Sequence, residues 1–509
     1  MANKHLFGTS EKSDFIVNMT DEGAKKFCAM YCIFAMLIIE LAAIPYYFTK
    51  NVIDYTETIG TLNIPHYLSD KVIYWVGVVM LGLGMLGLSV LMIGKMKKQV
   101  GFVNNKALLW LLGVIVMSLI SSLAAGSINN AMTGYLDRAE GFMTLIGYYG
   151  FFAAAFTVIA DNWRKRLCAV IVAIGAVNAL VGILQVIPAL NDIIPNWFQE
   201  LNISYTTVYA IPAANGLAMA PHALAALLTV AFAVAFVSMI FAEKRSSQLL
   251  FGAAALLMAS AAVFTRTFTA LLGIGCAAVL GTVVGIVYAV KGKAEDKTED
   301  SSEDDKPASV KSRKSVLLAT LCGLVLVCGC VGGTFASQLI AYPEGEGYKT
   351  FYDEEVIRTD SIRMLMLLQK DDDGTWVYPY LWDDGLYVAE QEPFLGTGPD
   401  NWSTISTYGA TIDRSYNEYI DTAMQRGFVT LGLYGVFLLI SLFKAFKAVA
   451  AFIKGETGWA APAVACAVLA YMVQAFFNIS ALTSSPFFFI CVGLVWSYGA
   501  LKKSRATGK

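Results

Sequence analysis

Runs of about twenty apolar residues return along the whole length of this 509-residue chain. Each is long enough to cross a hydrocarbon layer of roughly 30 Å as a helix. That recurrence constrains the fold more than any other feature, because a backbone in lipid must satisfy its polar groups internally. Composition agrees. Hydrophobic residues make up 57% of the chain and charged ones 15%, against roughly 25% charged in soluble domains. Mean hydropathy is +0.58. The sequence reads as an all-α polytopic membrane protein with about twelve transmembrane helices. The expected spans are 28–49, 72–94, 107–127, 142–160, 167–188, 220–242, 248–264, 268–290, 316–340, 427–447, 458–478 and 484–501. A formal net charge of −2 gives no overall basic excess, and no nucleic-acid partner is expected. The nine cysteines all fall within or beside apolar segments, which argues against a disulfide framework.

Basic residues set the orientation. With the first polar stretch (1–27) cytoplasmic, the inside loops carry Lys95, Lys97, Lys98 and Lys106, then "RKR" at 164–166, then Lys244 and Arg245. About 27 of the 37 Lys and Arg lie inside on this assignment, so both termini (1–27 and 502–509) read as cytoplasmic. Transmembrane helices 1–8 occupy 28–290, the ninth 316–340, and the last three 427–501. Between them, 291–315 is charged and Ser-rich and reads as a disordered cytoplasmic linker. The segment 341–426 lies outside. Its many aromatics and amphipathic stretches predict an ordered, mostly helical cap before the tenth span.

Polar groups inside spans are expensive and point to function. Glu40, Gln185, His222, Arg266, Gln474 and Asn478 all fall at one depth, just beneath the external segment. Above them stand Arg358, Arg363, Arg414 and Arg426, which run against the orientation rule. Arginine offers planar, permanently charged donors suited to phosphate oxygens. "EPFLGTGPDNW" at 392–402 is not a dinucleotide fingerprint, since it lacks the third glycine and a preceding strand. Gly398 and Pro399 suit the start of a short helix, whose free amides would hold an anion; an ordinary structural turn fits the same spacing.

"PFLGTGPDNW" followed by "DRSYNEYIDTAMQRGFVTLGLYGVFLL" resembles the diagnostic region of the O-antigen ligase and polymerase family, in which a Gly-x-Gly-Pro turn and a His-Asn-x-Tyr-Leu segment lead into a glycine-bearing span. "TRTFTALLG" at 265–273 is similar to that family's Ser-Arg-Gly hairpin, and "RTDSIRMLMLLQ" to its arginine-bearing helix. The resemblance covers about 390–440 well and the rest more weakly. It implies transfer of a glycan from a polyprenyl-pyrophosphate donor to an acceptor hydroxyl on a sugar, cell-wall polymer or protein. The reaction would take place at the outer face of a bacterial cytoplasmic membrane, in surface polysaccharide biosynthesis, without metal or other cofactor. Ligase and repeat-unit polymerase share these motifs.

On that resemblance the catalytic candidates are Arg266, Arg363, Arg414, Tyr416, Asn417 and Glu418. The substrate-binding candidates are Gly396, Gly398, Asp400, Arg358, His222 and Glu40. Fixed guanidinium groups would stabilise the charge gathering on the diphosphate as the anomeric bond breaks. The aromatic side chains of Trp376, Tyr378, Tyr380 and Trp382 offer faces to sugars or anchor the loop at the interface. One departure stands out: Tyr416 occupies the place of the family histidine. A phenol with pKa near 10 is a poor base, so either Asp413, Glu418 or Asp421 serves, or a base is not decisive, or activity is altered. Three rival classes remain, one of them a scaffold lacking chemistry, which the missing histidine keeps open. A lipid-linked sugar transporter would show inverted repeats and a polar path to both sides. A metal-dependent transferase would use "DDDG" at 371–374 or Asp383 and Asp384.

Overall fold

The computed structural model describes residues 21–49, 52–59, 62–90, 108–135, 138–187, 213–218, 220–291, 312–341, 377–401, 404–405, 411–412 and 414–506. The protein is a helical bundle. In chain order the elements are α1 (Asp21–Thr49), the hairpin β1 (Ile53–Ile59) and β2 (Leu62–Tyr67), α2 (Leu68–Val90), α3 (Leu108–Ala124), α4 (Ile128–Thr133), α5 (Phe142–Phe156) and α6 (Asp161–Gln185). There follow α7 (Pro221–Phe241), α8 (Arg245–Phe264), α9 (Phe268–Lys291), α10 (Arg313–Ala341) and α11 (Val377–Gln391). The two-residue strands β3 (Thr404–Ile405) and β4 (Thr411–Ile412), α12 (Glu418–Ile453), α13 (Ala460–Gln474) and α14 (Ser485–Ala506) complete the chain.

Among the described residues nine helices are long and apolar enough to cross a membrane. Three more apolar helices, α3, α5 and the first part of α14, are shorter. Every expected span has a helix at its position. The protein is therefore an all-α, multi-pass membrane protein, with nine spans supported by length and apolarity.

Burial separates the helices. In α7 the apolar window is 94% buried, and in α10 only 22%. A helix apolar on every face belongs inside a bundle, and α7 accordingly lies at the centre, packed by α6, α8, α9 and α13. α10 leaves Leu318, Val325 and Leu326 exposed, as a helix facing lipid does. Close crossings rely on glycine. A Cβ on Gly84 of α2 would stand 2.6 Å from the Gly147 backbone nitrogen, and one on Gly150 of α5 would stand 2.5 Å from the Gly84 Cα. Small residues at such a crossing let two backbones touch, the main route to helix association without a hydrophobic drive.

The connecting segments sort into two ends. At one, Lys165 meets Glu243 at 2.8 Å, Arg164 reaches Ser497, and Phe251 packs on Trp459. At the other, the 134–141, 213–220, 264–267, 393–401 and 475–484 segments bond to one another. Antiparallel neighbours joined by short loops give this alternation.

The 341–426 segment is only partly described. α11 is helical, β3 and β4 pair, and 342–376 lies outside the described residues, with Arg358, Arg363 and "DDDG". The β1–β2 hairpin was not expected from the sequence. It pairs Thr56 with Pro65, a proline tolerated because a two-stranded sheet is all edge.

Candidate active site

The site is built on a broken helix. α12 is interrupted at Gly427, whose φ of 80° and ψ of 162° leave the helical region. A break frees carbonyls that must find donors where water is excluded. The "PFLGTG" segment supplies them: Thr397 N–H donates to the Met424 carbonyl at 3.1 Å and Gly398 N–H to the Gln425 carbonyl at 2.9 Å. Phe428 N–H returns to the Pro393 carbonyl at 2.8 Å, and Gly396 N–H binds the Glu392 carbonyl at 2.9 Å. Gly396 and Gly398 have φ of 65° and 100°, which a side chain resists. This leaves neither glycine amide free for an anion, the use that the sequence offered beside an ordinary turn. Their amides are spent within the protein, and 398–401 forms a turn rather than a helix start.

Asp400 is a buried hub. Its Oδ1 accepts from Arg414 Nη2 at 2.9 Å and pairs with Arg138 Nε at 2.9 Å. Its Oδ2 accepts the Tyr135 amide at 2.7 Å and the Glu140 amide at 3.3 Å. Its own amide donates to the Gln425 side chain at 3.1 Å. One carboxylate thus ties the 134–141 loop, the 398–401 turn, the 414–417 segment and the broken helix together. Glu140 lies beside it, 3.9 Å from Arg414, with hydrogen bonds from Tyr148 at 2.5 Å and from Ser480. Burial pushes the Glu140 carboxyl above the ordinary range, with Arg414 and the two hydroxyls opposing. Burial works against the charge on Arg414, but Asp400, Asp421 and Glu140 outweigh it and hold that guanidinium above its usual value.

Tyr416 has φ of 54° and a buried ring, packed with Leu381 and Ile479. The His222 ring meets it edge-on, centroids 6.2 Å apart. His222 Nδ1 is buried without a hydrogen-bond partner, and Arg414 and Arg138 stand near enough for their charges to act on it. Asn417 caps α12, accepting from the amides of Tyr419 and Ile420 at 3.0 and 3.2 Å. Glu418 is engaged by Tyr434 at 2.9 Å and Tyr471 at 3.1 Å. Of the other carboxylates considered beside Tyr416, Asp413 lies outside the described residues. Asp421 binds the Ser415 amide and hydroxyl through Oδ1, both at 2.8 Å, and keeps Oδ2 unpaired.

Arg266 sits in the α8–α9 turn with φ of 55°, its side chain half-buried. The hairpin reaches the Tyr416 cluster through Phe268, Phe477 and Trp382, with ring centroids 5.6 Å apart at both steps. Trp382 thereby packs against both Phe477 and the Tyr416 cluster. Glu40 lies apart, deeper, where Asn178 donates to it at 2.8 Å and accepts from the Leu217 amide at 2.8 Å. Gln185 holds the same segment through the Asn215 and Gly216 amides. Arg358 and Arg363, with Trp376, lie outside the described residues.

Sequence reasoning missed Arg138 and Glu140. The signal was present: on the orientation expected from the basic residues, "DRAEG" is another arginine that runs against the rule. Spare capacity also gathers at this end. Arg414 Nε, Arg426 Nε and Gln474 Nε2 are buried without hydrogen-bond partners. Among the described residues, no three His, Cys, Asp or Glu converge as metal ligands would. The chain matches no family model and no curated protein.

Proposed function

We propose that this protein transfers a polyprenyl-pyrophosphate-linked glycan to an acceptor hydroxyl at the outer face of a bacterial cytoplasmic membrane. In this reading it is an O-antigen ligase-like glycosyltransferase with twelve spans and both termini cytoplasmic. One observation carries the reading. Every non-glycine residue with positive φ among those described, Ala139, Arg266, Asp400 and Tyr416, belongs to the Arg414 end or to the turn that reaches it. Such positions cost about 1–3 kcal/mol each and persist where the surroundings over-determine them, often at working sites. Ala139, Asp400 and Tyr416 lie in the segments around Arg414, with its unspent Nε, beside the unpartnered Nδ1 of His222. That arrangement suits a reaction whose transition state sheds a diphosphate, because fixed donors act most strongly on charge that develops. Arg266 and Arg414 bind the leaving group; Asp421 or His222 receives the acceptor proton.

The test is glycan transfer in membranes bearing the protein, with lipid-linked donor from the parent organism and a chelator present. Transfer that survives chelation and falls about 100-fold or more in Arg266→Ala supports the reading. Absence of transfer with authentic donor and acceptor sinks it in favour of transport. Transfer that chelation stops moves it to a metal-dependent enzyme.

A further inference from the structure

The β1–β2 hairpin and the start of α2 enclose a cleft of about 240 Å³ that the active-site reading does not use. Four aromatic side chains line it: Tyr55, Tyr67, Tyr74 and Trp75. All are exposed, Trp75 at 63% and Tyr55 at 55%. The Tyr55 ring is stacked on His66, centroids 4.4 Å apart and 11° from parallel, so one wall is rigid.

Aromatics near the end of a span ordinarily anchor a protein at the headgroup level. An anchoring belt needs no carboxylates, and this cleft contains two, Asp54 and Asp70. The one lysine lining it, Lys71, is paired with Asp54 at 2.5 Å. The lining is therefore acidic and aromatic, which repels phosphate and anionic headgroups. It matches a hydroxyl-rich ring whose C–H faces lie against electron-rich aromatic faces while its hydroxyls donate to carboxylates.

Position points the same way. α2 runs from the cleft to Gly77, where an added Cβ would stand 3.4 Å from the Thr133 carbonyl. Two residues further along that segment, Tyr135 donates its amide to Asp400. The cleft thus borders the Arg414 end through about two turns of one helix.

We propose that this cleft is a sugar subsite taking one hexose or hexosamine unit of the acceptor glycan. The assignment to the acceptor rests on the transfer reading; the binding of a sugar does not.

The experiment uses the purified full chain in nanodiscs and saturation-transfer NMR. The probes are glucose, galactose, glucosamine and N-acetylglucosamine, with phosphocholine and inorganic phosphate as controls. At least one sugar should give signal, with affinity reduced about fivefold to tenfold in Trp75→Ala and in Asp70→Asn, and retained in Arg266→Ala. Trp75 is exposed and Asp70→Asn is isosteric, so folding is preserved in at least one variant. The proposal is overturned if no sugar binds, if both variants bind as wild type does, or if phosphocholine displaces the sugar. Sugar signal in a protein that shows no transfer would reject the transfer reading and leave the subsite standing. Transfer with no sugar signal would do the reverse.

Discussion

Arg164 and Arg414 are both buried, at opposite ends of one bundle, and they are held in different ways. Arg164 donates to the Val158 carbonyl at 3.0 Å and twice to the Ser497 hydroxyl, and its guanidinium lies 3.8 Å over the Tyr498 ring. Arg414 is held by Asp400, with Glu140 nearby, and keeps its Nε unspent. The backbone differs in the same sense. Among the described residues, every positive-φ position except Gly455 belongs to the Arg414 end. Arg164 itself is closed by neutral partners, and the ion pairs at its end, Lys165 with Asp161 and Glu243, lie nearer the surface. The Arg414 end stores strain and charge, which packing alone would not select, since a buried ion pair is rarely the most stable way to fill a core.

The largest effect expected across this contrast is at Asp400. Asp400→Ala strands Arg138 and Arg414 together with two amides, and breaking a buried pair from one side costs about 3–5 kcal/mol. Thermal unfolding in detergent should show loss of most folded protein. Arg164→Ala strands no partner charge and should cost less, about 1–3 kcal/mol. Equal losses would erase the distinction.

A second pair of variants compares the glycines. A Cβ on Gly427 would strike the Phe394 carbonyl, whereas Gly455, φ 72°, has nothing within 4 Å. Gly427→Ala should lower stability by about 1–3 kcal/mol and Gly455→Ala by about 1 kcal/mol, both read from denaturation midpoints. Asn417→Ala removes the α12 cap and should cost about 1 kcal/mol.

The smallest effect is pH dependence. The Glu140 carboxyl is raised in the folded state by burial, so its contribution to stability is full below the ordinary carboxylate range. That contribution is lost as pH rises through the raised value. Unfolding midpoints of the wild type should therefore fall more steeply over that interval than those of Glu140→Gln. Parallel profiles would show that Glu140 does not titrate on unfolding.

Much of the fold was legible because span length and apolarity are local properties. The start expected at 427 for the tenth span marks the break in α12, since the glycine that ends the polar entry is visible in the chain. The β1–β2 hairpin was not legible: a proline in a short polar stretch argues against a strand unless its edge is known to be free. Arg266 and His222 were singled out because charge inside a span is costly wherever it occurs, and Arg414 because it runs against the orientation rule. Gly396, Gly398 and Asp400 were singled out in the segment that closes the break, but their part in closing it was not legible. Only the fold shows that carbonyls freed at Gly427 consume those amides. Likewise only the fold brings Glu140 and Arg138 to Asp400, and the meeting of Tyr416 with His222 joins residues distant in the chain.

The most direct measurement is glycan transfer per folded protein in Arg266→Ala and Arg164→Ala, side by side in the same membranes. The expected result is a loss of about 100-fold or more in Arg266→Ala with Arg164→Ala close to wild type. Transfer that is intact in Arg266→Ala, or lost equally in both, would contradict the assignment of chemistry to the strained end.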